Sequence, residues 1–322
     1  MTEAIIAQEL RKTYPKDVCA LAGLSLRAET GTIFALAGPN GAGKSTTVKI
    51  LTTLSRPDSG AAEVAGIDVL RHPNRVRQQI GVVGQKTGAT PEATGRENLV
   101  MQGEIYGLTG RALRQRIEEL LERFQLREAA DRSTKTYSGG MRRRLDVALG
   151  LVNRPQVLFL DEPTTGLDPE ARTELWQEIE RLAGDEEMTI LLTTHYLDEA
   201  DRLAGQLAIV DRGRIVAQGT PEALKSELRG DAIQVELTGG TSGVEEALRV
   251  LPGLSEIGLD GSIVRARAEH GASAIPAVLS VLEQQGVTVA SVTLARPSLD
   301  DVYLRHAGRA YRDGAEDGKE AA

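Results

Sequence analysis

Cysteine is nearly missing from this sequence. The single Cys19 rules out an internal disulfide and fits a reducing compartment, and its place in an apolar stretch predicts a small core residue in a strand. Histidine is sparse too: His72, His195, His270 and His306 stand too far apart for a zinc motif, so no metal site of that kind is expected. No uninterrupted apolar run approaches the roughly 18–20 residues that span a bilayer. The N-terminus reaches acidic and polar residues too soon for a signal peptide, so none is expected. Any work at a membrane must then pass through a partner. Positive charge is also short. A net charge of -8 argues against a nucleic-acid-coating protein, and the one short basic run, Arg142 to Arg144, reads as a solvated helix face.

What is present is a globular composition, 41% hydrophobic and 26% charged, over 322 residues, which is enough for about two domains. The chain is organised around GPNGAGKST, Gly38 to Thr46. It satisfies G-x-x-x-x-G-K-[ST] at every fixed position and sits between an apolar run, TIFALA, and a stretch with Val48, Leu51 and Leu54 at helical spacing. That context is strand, glycine loop, helix. Gly38, Gly41 and Gly43 let successive backbone N–H groups curl into an anion nest at a helix N-terminus. Pro39, Asn40, Ala42 and Thr46 complete the loop, Lys44 is suited to the β- and γ-phosphates, and Ser45 to Mg²⁺. A nucleoside triphosphate site is the working assumption.

Upstream, IIAQEL and VCALAGLSLRA read as strands with Tyr14 in the loop between them; its ring either stacks on a base or packs on its own strand. Downstream, a helix near Asn74 to Gln79 precedes the strand IGVVG, with Gln85 at its carboxyl end, where open α/β sheets place ligand contacts. Residues 87 to about 152 turn helical. Leu113, Ile117, Leu120, Leu121 and Phe124 predict an amphipathic helix, and Ser138, Gly139 and Gly140 open another, as an ordinary N-cap or a second anion site. VLFL is a buried strand ending in Asp161 and Glu162. Two adjacent carboxylates there are costly as structure, which suits Asp161 to Mg²⁺ and Glu162 to polarising an attacking water. Pro169 starts a helix over Glu170 to Leu182, TILLTT is a buried strand ending at His195, and LAIVDRGRIVAQG is a hairpin. Thr220 and Pro221 begin a last helix, and past Gly230 a βαββαβ order predicts a ferredoxin-like unit.

Taken together these motifs resemble the ATP-binding subunit of an ABC (ATP-binding cassette) transporter, over residues 5 to about 230. The resemblance makes GPNGAGKST the Walker A loop, Gln85 the Q-loop glutamine, YSGGM the signature loop, VLFLDE the Walker B strand, Gly166-Leu167-Asp168 the D-loop and His195 the switch histidine. Tyr14 falls where the family stacks adenine. Tyr137 and Met141 depart from the commonest signature, LSGGQ. SGGM followed by basic residues, with the C-terminal LDDVYLRHAG, is similar to the daunorubicin/doxorubicin-resistance type of drug-export ATPase.

The fold class implied is α/β: a P-loop NTPase (ABC ATPase) core over 1–230 with an inserted helical subdomain at about 87–152. A small C-terminal α+β domain, ferredoxin-like, follows over 231–306, and a disordered tail over 307–322. The catalytic residues implied are Glu162, His195 and Gln85. Tyr14, the Walker A loop, Ser138, Gly139, Gly140 and Asp168 would contact ATP, and Ser45, Gln85 and Asp161 would hold Mg²⁺. The implied partners are a separate transmembrane permease subunit and a second copy of the chain, paired head to tail so that Ser138, Gly139 and Gly140 of each cover the other's nucleotide. No nucleic acid is expected, and the location implied is peripheral, on the cytoplasmic face of the cell membrane. A soluble ABC-type ATPase acting on DNA or ribosomes, or a regulatory ATP switch, is the rival; turnover by the purified protein separates the last of these.

Overall fold

The computed structural model describes residues 2–228, 230–239, 243–295 and 297–308. It opens with an antiparallel hairpin, β1 (Glu3–Tyr14) and β2 (Val18–Glu29), in which the alternating Leu24, Leu26 and Ala28 are all buried. β3 (Ile33–Ala37) is buried at every position and leads to α1 (Lys44–Leu51). β4 (Ser59–Val64) and β5 (Ile67–Asp68) return to the hairpin and complete an antiparallel sheet of order β2-β1-β4-β5. α2 (Pro73–Gln79) has its proline in the first turn, where an N–H is not needed, and precedes β6 (Ile80–Val83).

Three helices follow. α3 (Gly95–Ile105) starts in a Thr94–Glu97 capping box, α4 (Gly110–Arg123) buries Leu113, Ile117, Leu120 and Leu121 as their spacing dictates, and α5 (Gly139–Gly150) is capped by Ser138. Then come β7 (Val157–Asp161), α6 (Pro169–Asp185), β8 (Thr189–Thr194), α7 (Leu197–Leu203), β9 (Gln206–Asp211) and β10 (Arg214–Gly219). The second sheet has the order β10-β9-β3-β8-β7-β6, parallel throughout except for β10. One hydrophobic core, including Leu10, Leu24, Phe34, Leu51, Phe159 and Leu191, joins both sheets and α1. Because β3, β8, β7 and β6 are parallel neighbours, the segments after them share the carboxyl edge of the sheet. Gly38 to Thr46, His195, Asp161–Glu162 and Gln85 all emerge there.

α8 (Pro221–Ser226) spans the division between two compact units, one up to Pro221 and one from Glu222 onward. The second unit holds β11 (Asp231–Thr238), α9 (Val244–Arg249), β12 (Leu254–Asp260), β13 (Ile263–Ala268), α10 (Gly271–Gln284), β14 (Thr288–Ala295) and α11 (Leu299–Ala307). Its sheet is antiparallel in the order β12-β13-β11-β14, the ferredoxin-like arrangement of a βαββαβ chain. Ile233, Val235 and Leu237, alternating on β11, pack with Leu248, Val278 and Leu282.

Several elements differ from the sequence reading. Tyr14 ends β1 rather than lying in a loop, because the β1–β2 pairing runs on to Tyr14 and Val18. Cys19 lies in β2 but is exposed, next to the turn that closes that hairpin. α6 continues to Asp185, and α7 adds a helix that the sequence reading lacks. The compact units divide between Pro221 and Glu222, whereas the boundary expected was Gly230. The tail from Arg309 lies outside the described residues.

Candidate active site

The glycine loop is pressed between two strands. A Cβ on Gly38, whose φ is +152°, would sit 2.2 Å from the Val210 carbonyl oxygen of β9, and one on Gly43, at φ +113°, would sit 2.5 Å from the Ala20 carbonyl of β2. Only glycine fits such approaches. Asn40 and Gly41 form the exposed crest, Pro39 and Thr46 are half-buried, and Ala42 is buried. Lys44, the first residue of α1, is 4% exposed and turns its ammonium back into the loop, donating to the carbonyls of Gly38 at 2.7 Å and Pro39 at 3.0 Å. Its Nζ is 3.8 Å from Glu162 Oε1. Burial pushes the Lys44 ammonium down from its ordinary pKa, while the Glu162 and Asp161 carboxylates pull it back up.

Ser45 Oγ donates to Asp161 Oδ1 at 3.2 Å. The same oxygen accepts from Thr193 Oγ1, on the neighbouring β8, at 2.6 Å. A hydroxyl beside a carboxylate, both hard oxygen donors at a phosphate loop, fits Mg²⁺, which keeps part of its water shell. Glu162 stands in the left-handed region at φ +49°, a strained conformation for a residue with a side chain. Its N–H donates to the Thr193 carbonyl and to Thr193 Oγ1, both at 3.1 Å. The turn aims its carboxylate between two nitrogens: Lys44 Nζ on one side and His195 Nδ1 on the other, 3.3 Å from Oε2. The imidazole against Oε2 is the main cause holding the Glu162 carboxyl below the usual glutamate range, with Lys44 adding to it.

Lys44, Ser45, Asp161, Glu162 and His195 therefore form one constellation. The other expected residues stand apart from it. Gln85 is exposed beyond β6 and makes no bond to Ser45 or Asp161. Tyr14 is half-buried with Lys12 Nζ 5.8 Å from its ring centroid; its hairpin reaches the loop through Ala20. Ser138 Oγ accepts from the Met141 N–H at 3.2 Å, while Ser138 and Gly139 are exposed and Gly140 half-buried. Asp168 Oδ1 accepts from the Ala171 N–H at 2.9 Å and so caps α6. Tyr137, where the commonest signature has Leu, is buried and donates its hydroxyl to the Ala129 carbonyl, fixing the loop before α5.

Two contributors were missed in the sequence. Thr193 looks like part of an apolar strand, and its hydroxyl is what braces Asp161 and Glu162. Arg143 corrects the reading of the basic run: Arg142 is exposed, but Arg143 is buried and its guanidinium lies under the Glu162 turn. Nε donates to the Pro163 carbonyl at 2.6 Å and Nη2 to the Glu162 carbonyl at 3.3 Å. The only signal available was position: Arg143 follows Ser138 by little more than one helical turn and so sits one turn into a helix capped by that serine.

A protein-family model described as "ABC transporter" matches residues 21–165, and another, "ATP-binding protein DrrA1-3-like, C-terminal domain", matches 219–307. The daunorubicin resistance ATP-binding protein DrrA3 of Streptomyces coeruleorubidus is 45% identical over 306 residues, which cover 95% of this chain and 96% of that one. The daunorubicin/doxorubicin resistance ATP-binding protein DrrA of Streptomyces peucetius is 43% identical over 331 residues, covering 99% and 98%. Among solved structures, cbiO1 from Clostridium perfringens, part of the ABC transporter complex cbiONQ, superposes with a TM-score of 0.65 at 25% identity, over 78% of this chain and 97% of that one. With the phosphate loop, the paired carboxylates and His195 meeting at one sheet edge, and with likeness over nearly the full length, the chain belongs to the ATP-binding subunits of the ABC transporter family.

Proposed function

We propose that the chain hydrolyses ATP to power a separate membrane-spanning permease that exports drugs or other lipophilic compounds, acting at the cytoplasmic membrane face as a head-to-tail pair with a second copy of itself. Among the described residues no helix is long and apolar enough to cross a membrane, so the membrane-spanning part is assigned to the permease. The observation that carries the reading is the placement of Glu162 between Lys44 and His195, beside the Ser45–Asp161 pair. The direction of transport rests on the daunorubicin-resistance relatives.

The chemistry follows from those contacts. The Lys44 ammonium, now bonded to main-chain carbonyls, would exchange them for the β- and γ-phosphate oxygens of ATP. Ser45 and Asp161 would hold Mg²⁺, with Gln85 joining them once its loop moves inward; the ion supplies charge neutralisation to the phosphates. Glu162 is held ionised at neutral pH and only weakly basic. It is suited to orient and polarise the attacking water, an effect typically worth about 10²–10⁴-fold. His195, in contact with that carboxylate, is placed to register the γ-phosphate. Ser138 and Gly139, exposed at the start of α5, and the half-buried Gly140 would close over the nucleotide of the second copy, with Asp168 and Tyr14 contributing the remaining contacts.

Glu162→Gln, purified with ATP and Mg²⁺, should lose at least about 100-fold in turnover and run as a dimer in light scattering. From detergent-solubilised membranes it should bring down a multi-span protein lacking its own ATPase. A monomer under these conditions, with turnover unchanged, would overturn the reading.

A further inference from the structure

The helix that opens at the signature loop carries two buried charges that no ATP-contacting role uses. Arg143 is 8% exposed and makes no carboxylate ion pair; it spends its guanidinium on main-chain carbonyls. Burying an arginine without a directly bonded counter-ion is unfavourable, so its retention as pure packing is poorly explained. What it bonds is informative. Nη1 donates to the Gly84 carbonyl at 2.7 Å, immediately before Gln85, while Nε and Nη2 reach the Pro163 and Glu162 carbonyls. Three residues on, and so on the same face of α5, Asp146 is 6% exposed. Its Oδ1 accepts from Thr87 Oγ1 at 2.8 Å and from the Gly88 N–H at 2.9 Å. The loop carrying Gln85 is thus gripped on both sides by one helix, with Gln85 and Lys86 left exposed between the grips.

We propose that Arg143 and Asp146 are positioning residues that form a clamp, making α5 the shared anchor of the Gln85 loop and the Glu162 turn. Movement imposed on α5 at Ser138–Gly140 is carried by Arg143 to the backbone of Glu162 and by both residues to the Gln85 loop. This deepens the ATPase reading above and rests on it. The strained backbone of Glu162 supports the inference, since a turn held out of its relaxed conformation needs outside restraint, and Arg143 donates to its carbonyl while Thr193 holds its N–H. The planar guanidinium is what lets one side chain serve Gly84, Glu162 and Pro163 at once; a lysine ammonium cannot reproduce that fork.

The test uses the full chain and compares Arg143→Lys, Asp146→Ala, Asp146→Asn and Glu162→Gln with the wild type. Arg143→Lys is expected to lower kcat about 100-fold, the cost of misplacing a reacting group by about 1 Å. Its KM for ATP should stay within about twofold and its thermal midpoint close to wild type, and Arg143→Lys combined with Glu162→Gln should still form the ATP-bound dimer. Asp146→Ala should lower kcat and speed hydrogen exchange at the Gly88 amide, whereas Asp146→Asn, which keeps the accepting oxygen, should restore both. The two clamp substitutions should combine less than additively in kcat. Wild-type kcat in Arg143→Lys, with turnover lost only in Glu162→Gln, would overturn the clamp and leave the ATPase intact. So would a fall in the thermal midpoint that accounts for all lost activity, or failure of Asp146→Asn to rescue. Equal turnover in wild type and Glu162→Gln would instead overturn the ATPase reading and the clamp with it.

Discussion

Replacing Thr193 by Val or by Ser sets two physical effects against each other at one buried position. The side chain is fully buried in β8. Its hydroxyl donates to Asp161 Oδ1 at 2.6 Å and accepts from the Glu162 N–H at 3.1 Å. Valine keeps the branched shape and its strand preference but deletes the hydroxyl. A hydrogen bond to a charged group contributes about 1.5–3 kcal/mol, and the amide loses little because it keeps the Thr193 carbonyl at 3.1 Å. Asp161 is only half-buried, so water can replace part of the donor; the net loss for Thr193→Val is about 2 kcal/mol. Serine keeps both hydrogen bonds and loses one buried methyl, about 1 kcal/mol. Hydrophobicity alone ranks Val above Ser; the bonds to Asp161 and Glu162 reverse that order. Thermal unfolding without nucleotide should show the first transition falling by about 4–8 °C for Thr193→Val and by about half that for Thr193→Ser. The valine variant should also lose turnover, because Asp161 and the Glu162 turn share the missing bond. If Val proved as stable as wild type, or more stable than Ser, the bracing role assigned to Thr193 would be refuted.

Lys44→Ala should weaken ATP binding by at least about 100-fold, or about 2.7 kcal/mol, in a fluorescent-nucleotide titration while the unliganded chain stays folded; normal affinity would remove the phosphate-loop assignment. His195→Ala bears on pH. The Glu162 carboxyl is depressed in the folded state, so its contribution to stability is complete above the unfolded value of about 4.3 and disappears as pH falls through the lower folded value. Removing the imidazole, the main cause of that depression, should move the acid limb of kcat/KM to higher pH in a profile from about pH 4 to 8. An unmoved limb would mean that another group sets it.

The architecture was legible where burial and period agree. β3, β7 and β8 lie inside a parallel sheet with both faces covered, so each contains an unbroken apolar stretch, IFALA, VLFL and ILL, while α4 and β11, each buried on one face, carry their own periods. What escaped lies where neither rule reaches. Tyr14 and Cys19 stand near the turn of the β1–β2 hairpin, where strands outlast their buried face; pairing partners, not side-chain pattern, decide how far they run. α7 spans Leu197–Leu203 and is too short for its period to stand out between two buried strands. The division at Pro221 rather than Gly230 falls inside a helix start, where composition does not change.

The active site was legible where it departs from structural economy. Adjacent carboxylates ending a buried strand, and glycines at fixed spacing before a lysine, are expensive or pointless without a ligand, and those residues do meet: Glu162 lies within 3.8 Å of Lys44 and within 3.3 Å of His195. Arg143 was illegible for the opposite reason. Its partners are the carbonyls of Gly84, Asp161, Glu162 and Pro163, and a carbonyl is the same in every residue, so no side-chain pattern records that it is used. Thr193 and Asp146 share this trait, bonding the Glu162 and Gly88 amides. A sequence motif names the groups that touch substrate because their chemistry is specific. The groups that set the backbone under them need only a donor or an acceptor at the right place, and that place is fixed by the fold. This difference explains why two adjacent arginines in one basic run divide as they do: Arg142 faces water, and Arg143 holds the turn that carries Glu162.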